Sequence, residues 1–186
     1  MRFDAIVLAG GRGRRLGGAD KALVEVGRRS LLARSLEAAG EAERVIVVGP
    51  RRPAPEHVLW TREEPPGGGP AAALGAGIRL VRAEVVVTLA VDLPLVDGDL
   101  VADLLSEVGE ADGAIVTNGN GRDQPLAGAY RSGVLRRRLD DLAPLEGKPV
   151  ALVVAPFDLH RKVSALTTDC DTWAAVAAAD RLLGGG

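Results

Sequence analysis

Apolar residues along this chain follow two alternating rhythms. Short, β-branched runs at residues 3–9, 45–48, 58–60, 84–91, 113–117 and 150–155 read as strands, and several are apolar at consecutive positions, the pattern of strands covered on both faces. Between them, residues 30–39, 70–81, 97–108, 132–142 and 171–183 carry aliphatic residues at three- and four-residue spacing, as with Leu100, Leu104 and Leu105, which predicts amphipathic helices. Pro70 suits the first turn of its helix, where the missing N–H is no loss. Alternation of strand and helix predicts an α/β fold: one three-layer α/β/α domain over residues 1–183 with a mainly parallel, mixed sheet. Residues 184–186 read as a glycine tail. Asn118-Gly119-Asn120-Gly121 is a turn signal that joins two antiparallel strands. In such sheets ligands bind outside the carboxyl ends of the strands, so the loops after Ala9, Val48, Trp60 and Val91 become the places to look.

Composition removes several classes of function. The 186 residues include 23 Lys and Arg against 25 Asp and Glu, a net charge of −2, so no chain-wide basic field awaits a nucleic acid. Aromatic residues make up only 3%, too few for a base-stacking platform. The single cysteine, Cys170, and the two histidines, His57 and His160, do not supply the usual zinc cages. Cys170 reads as a small buried residue, and the histidines as structural or solvated. No apolar run approaches the ~18 residues of a membrane span, and the amino-terminal apolar stretch is short and ends in glycines, unlike a secretory signal. A cytoplasmic protein with no membrane partner is the expectation.

The loop after the first strand changes the picture. It runs Leu8-Ala9-Gly10-Gly11-Arg12-Gly13-Arg14-Arg15-Leu16-Gly17-Gly18-Ala19-Asp20-Lys21-Ala22-Leu23. Its glycines let the backbone approach a ligand closely, and consecutive N–H groups can line an anion-binding concavity. Arg12, Arg14, Arg15 and Lys21 add positive charge, which suits an anion with several oxygens such as a triphosphate. The spacing fits neither a P-loop, because Ala22 follows Lys21, nor a dinucleotide fingerprint, because three residues separate Gly13 from Gly17. From glycine content alone, a surface loop with solvated arginines is an equal reading.

The full string Leu-Ala-Gly-Gly-x-x-x-Arg-x-Gly-x-x-Asp-Lys resembles the signature of nucleotidyltransferases with a Rossmann-like fold, in particular the molybdenum cofactor guanylyltransferases. The resemblance implies that the backbone of Leu8, Ala9, Gly10 and Gly11 holds a guanine nucleotide while Arg15 and Lys21 meet its phosphates. Relatives that use CTP tend to read Leu-Ala-Ala-Gly; Gly10 lacks that Cβ and leaves room for a purine, or else it only eases the turn.

Three further segments extend the likeness. Thr61-Arg62-Glu63-Glu64-Pro65-Pro66-Gly67-Gly68-Gly69-Pro70 is by composition a connector; the resemblance makes it a second nucleotide-contacting segment, with Glu63, or Glu64 beside it, in the place of an aspartate. Asp92 ends an apolar strand two residues before Pro94, where it either starts a turn or holds a metal; its Asp-x-Pro match implies the Mg²⁺ ligand. Gln124-Pro125-Leu126-Ala127-Gly128-Ala129-Tyr130-Arg131 reads as a turn and an edge strand, and the resemblance places Gln124 on the acceptor side. Asp169-Cys170-Asp171-Thr172-Trp173 departs from the family's Asn-x-Asn-Thr-Pro; Asp171 is either a cap for the last helix or a second metal ligand. The implied reaction transfers GMP from GTP to a phosphorylated pterin cofactor with release of pyrophosphate, with Arg15, Lys21 and Asp92 as its catalytic residues. A cytidylyltransferase, a transferase for another phosphorylated acceptor, or a nucleotide-binding module without catalysis are the alternatives.

Overall fold

The computed structural model describes residues 1–11, 16–165 and 169–184. Its centre is a seven-stranded sheet of β1 (Phe3–Leu8), β4 (Arg44–Val48), β5 (Leu59–Thr61), β6 (Val85–Ala90), β7 (Gly113–Thr117), β8 (Asp123–Arg131) and β9 (Leu159–Val163). Their spatial order is β5-β4-β1-β6-β8-β7-β9. The first four are mutually parallel, β8 runs antiparallel to both its neighbours, and β9 pairs parallel with β7. A short hairpin of β2 (Glu25–Val26) and β3 (Arg29–Ser30) stands apart.

Alternate side chains of the central strands feed two cores, as a sheet covered on both faces requires. Ala5, Val7, Val45, Val47 and Val87 pack on one face with residues of α1 (Leu31–Ala38), α3 (Gly98–Glu107) and α6 (Trp173–Leu182). Ile6, Leu8, Ile46, Val48 and Val86 pack on the other with α2 (Pro70–Ile78), α4 (Ser132–Asp141) and α5 (Val150–Val154). Three layers result. The helix starts follow from local chemistry: Ser30, Asp97 and Thr172 accept backbone N–H groups of α1, α3 and α6, and Pro70 occupies the first turn of α2. Gly77 lets α2 lie directly on the sheet, since a Cβ there would meet Ile6 Cγ2 at 2.8 Å.

Two expectations fail here. Residues 150–155 are apolar enough for a strand, yet they form helix α5, with Val150, Val153 and Val154 buried. That is helical three-and-four spacing, which a short apolar run does not reveal by itself. The strand lies just beyond, at β9, whose His160, Arg161 and Lys162 make it look like a loop; charges on an edge strand discourage pairing with other chains. The second correction concerns β8. It is an interior strand between β6 and β7, and Pro125 is tolerated because the register jumps from Ile115↔Gly128 to Val116↔Gln124. Pro125 therefore faces no ladder bond to β7. Its carbonyl accepts from the Tyr130 hydroxyl at 2.7 Å and from Thr88 Oγ1 at 3.1 Å, which secures the bulge. The predicted turn at 118–121 does join β7 to β8.

Among the described residues, no helix is long and apolar enough to cross a membrane.

Candidate active site

The carboxyl ends of β1, β4 and β6 lie side by side, so their following loops share one rim of the sheet. Leu8 and Ala9 are buried, while Gly10 and Gly11 emerge exposed. The Ala9 N–H donates to the Val48 carbonyl at 2.9 Å, and the Val91 N–H to the Leu8 carbonyl at 3.1 Å. Gly49 permits this closeness: a Cβ on it would meet Ala9 backbone at 2.9 Å, and its φ of +151° also favours glycine. Arg15 lies outside the described residues, as do Arg12 and Arg14.

Leu16 is buried, and a 3-10 turn follows at Lys21–Leu23, capped by Asp20, whose carboxylate accepts from the Ala22 N–H at 3.2 Å. From that turn Lys21 reaches across the rim. Its Nζ donates to Asp92 Oδ2 at 2.9 Å and also to Asp171 Oδ1. Two chain segments, 71 and 150 positions from Lys21 along the sequence, thus meet on its ammonium group. The Cys170 N–H donates to the Asp92 carbonyl at 2.9 Å, so the segment bearing Asp171 is tied to the strand end bearing Asp92.

The electrostatics follow from this geometry. Burial pulls the Lys21 ammonium toward its neutral form, but the charge of Asp92 and the hydrogen bonds to both carboxylates together hold its pKa above the ordinary lysine value. Asp169, adjacent to the pair, is raised by partial burial and then by the charges of Asp92 and Asp171. The Cys170 thiol is pushed up to about 11, first by burial and then by Asp92; it is a packed thiol, not an activated one. His57 and His160 are both exposed.

A glycine-rich backbone, a lysine and two carboxylates on one rim are the parts that triphosphate chemistry uses. The sequence model of the MobA-like NTP transferase domain matches residues 5–154. The chain belongs to the MobA-like NTP transferase family. It is similar to a probable molybdenum cofactor guanylyltransferase of Mycobacterium bovis, with 34% identity over 169 residues, 86% of this chain and 83% of the relative. Among solved structures, the molybdopterin-guanine dinucleotide biosynthesis protein A of Archaeoglobus fulgidus superposes with a TM-score of 0.76 at 17% identity, covering 98% of this chain and all (100%) of that one. A 2-C-methyl-D-erythritol 4-phosphate cytidylyltransferase of Thermus thermophilus superposes with a TM-score of 0.75 at 18% identity, covering 98% of this chain and 99% of that one. This MobA-like transferase is therefore a nucleotidyltransferase by family, on a fold shared by proteins named for guanine and for cytidine nucleotides.

The remaining residues of the transferase fall on the same rim or beside it. Of the two glutamates after β5, Glu63 is buried and Glu64 exposed. Glu63 Oε1 accepts from the Gly67 N–H at 2.9 Å, so it folds its own glycine-rich loop. Asp171 does not cap α6; Thr172 does, accepting from the Ala175 N–H at 3.2 Å, which leaves Asp171 on Lys21. Gln124 is half-buried near the start of β8. Because β8 runs opposite to β6, that start lies at the same end of the sheet as Asp92. Sequence reasoning missed Arg52. It sits in the loop after Val48 that the sheet rule singles out, but no motif marks it.

Proposed function

We propose that this chain transfers GMP from GTP to the phosphate of a molybdopterin-type cofactor, releasing pyrophosphate. The observation that carries the reading is the convergence of Lys21, from the glycine-loop segment, on Asp92 at the end of β6 and on Asp171. The relatives named above supply the acceptor class and the base.

In the reaction, a terminal phosphate oxygen of the acceptor forms a bond to the α-phosphorus of GTP while the bond to the bridging oxygen breaks and pyrophosphate departs. That nucleophile is already anionic, so no general base is required, and both histidines stand exposed. The protein's work is positioning and charge neutralisation. The Leu8–Gly11 backbone and the Glu63 loop hold the nucleoside, and Lys21 with Arg15 offsets the phosphates.

Asp92 and Asp171 fit Mg²⁺. They offer hard oxygen donors that already surround one cationic group, Lys21 Nζ, and Mg²⁺ is commonly held by one or two carboxylates with phosphate and water completing its shell. When bound, Mg²⁺ would supply charge stabilisation at the phosphates.

Gly10 supports guanine. Its backbone lies outside the left-handed region, and among the described residues an added Cβ would meet the Val48 carbonyl alone, at 3.9 Å. The packing of the described residues therefore leaves room for a side chain at this position, room that a purine pressed against the backbone would use. One methyl group in such a place shifts discrimination by about 1–3 kcal/mol. Thermal shifts with GTP, CTP, ATP and UTP, each with Mg²⁺, followed by pyrophosphate release with molybdopterin, test the reading. GTP should stabilise most and support turnover. Larger stabilisation and turnover with CTP would make this a cytidylyltransferase.

A further inference from the structure

The Arg52 side chain sits in a rim loop yet is only 8% exposed. Its guanidinium donates from Nε to Asp20 Oδ2 at 2.8 Å, from Nη2 to Asp20 Oδ1 at 2.8 Å, and from Nη1 to the Ala9 carbonyl at 3.1 Å and the Pro50 carbonyl at 2.9 Å. Burying a guanidinium costs desolvation that only paired, well-aimed acceptors offset. The acceptors here belong to the two pieces that would meet a nucleotide. Ala9 begins the glycine loop, and Asp20 caps the turn that presents Lys21.

The consequence for the glycine loop follows from peptide geometry. The Ala9–Gly10 bond is trans, and in a trans peptide the carbonyl and the following N–H point in opposite directions. Holding the Ala9 carbonyl toward Arg52 therefore turns the Gly10 N–H away from it. Among the described residues, that N–H has no backbone acceptor, and Gly10 is exposed. One guanidinium thus sets the direction of the Gly10 N–H and, through Asp20, the base of the Lys21 turn.

We propose that Arg52 is a positioning residue for the nucleotide: with Asp20 it fixes the Gly10 N–H and the Lys21 ammonium relative to one another, so that a nucleoside triphosphate meets both at once. The inference rests on the nucleotide-binding reading above and goes beyond it by assigning a residue outside the family signature.

The test measures GTP affinity, with Mg²⁺, by calorimetry on the full chain for wild type, Arg52→Met, Arg52→Lys, Asp20→Asn and the Arg52→Met/Asp20→Asn double variant. All are compared where circular dichroism shows them folded. Arg52→Met and Asp20→Asn should each weaken GTP about tenfold, and the double variant should be no more than about twofold worse than the weaker single, because one linkage is broken once. Lysine keeps the charge without the fork, so Arg52→Lys should stay several-fold weaker than wild type. The Asp20→Asn change keeps a side-chain oxygen that caps the turn, which separates the clamp from the cap and carries the prediction even if Arg52→Met fails to fold. The KM for molybdopterin should stay within about twofold, a readout that general loosening of the fold would move.

GTP affinity unchanged in Arg52→Met and Asp20→Asn, full rescue by lysine, losses that multiply in the double variant, or a parallel rise in the molybdopterin KM would each overturn the proposal. Failure of the underlying reading looks different: the wild type itself would bind no nucleotide.

Discussion

The two halves of the sheet build their rims by different means. In the parallel half, the ends of β5, β4, β1 and β6 are joined by backbone hydrogen bonds from a loop residue to the end of the neighbouring strand, Ala9 to Val48, Gly49 to Thr61 and Val91 to Leu8. Charged side chains then cross from loop to loop: Arg52 to Asp20, and Lys21 to Asp92 and Asp171. In the other half, β8 leaves its register with β7, Gln124 stands half-buried at the rim, and the edge strand β9, paired in parallel with β7, adds an exposed ion pair from Arg161 to Asp123. Exposed pairs of that kind contribute little, about 0–1 kcal/mol. The parallel half thus ties its loops together with charged side chains at the rim, while the antiparallel half presents a bulged strand. A transferase that takes one nucleotide and one bulky acceptor has use for both.

Substitutions on the two halves should separate accordingly. Asp92→Asn removes the carboxylate at the end of β6 and should lower Mg²⁺-dependent pyrophosphate release at least about a hundredfold, some 3 kcal/mol, with the melting temperature nearly unchanged; near-normal turnover would take Asp92 out of the mechanism. Lys21→Met should weaken GTP about tenfold and, by removing the ammonium group between Asp92 and Asp171, tighten Mn²⁺ binding in the absence of nucleotide, measured by electron paramagnetic resonance. Equal Mn²⁺ affinity in variant and wild type would mean that Lys21 does not hold the metal position.

On the antiparallel half, Gln124→Ala should raise the KM for molybdopterin several-fold and leave that for GTP within twofold; the reverse pattern would place Gln124 on the nucleotide side. The smallest effect belongs to Tyr130→Phe. It removes the hydroxyl bond to Pro125 while Thr88 still serves that carbonyl, so stability should fall by about 1 kcal/mol, roughly 2–4 °C in melting temperature. A loss several times larger would show that the bulge holds more of the fold than its bonds suggest.

The same division explains what could be read from the sequence. β1, β4 and β6 are largely apolar runs, broken by Asp4, Arg44 and Thr88, that lead into glycine or aspartate, and both strand and site are visible in one stretch of residues. Lys21 and Asp92 are legible for the same reason, since each belongs to a string whose chemistry is local. Residues 150–155 are too short a run for periodicity to separate helix from strand, and β9 is disguised by His160, Arg161 and Lys162. Pro125 suggests an edge because sequence cannot show that a bulge excuses the missing donor. Arg52 is invisible for a further reason: its role consists of partners 32 and 43 positions away, and nothing near it in the chain announces them. Asp171 was legible as an acid near the last helix; that Thr172 takes the cap and releases Asp171 to Lys21 is a fact of three-dimensional placement.

The central claim is that the glycine-loop segment and the strand-end carboxylates form one magnesium–triphosphate site. An experimental structure of the complex with Mg²⁺ and a non-hydrolysable GTP analogue tests it most directly. The account predicts the metal on Asp92, the guanine against Gly10 and the Lys21 ammonium on the phosphates. A nucleotide bound elsewhere on the molecule, with Lys21 still joined to Asp92 and Asp171, would contradict it.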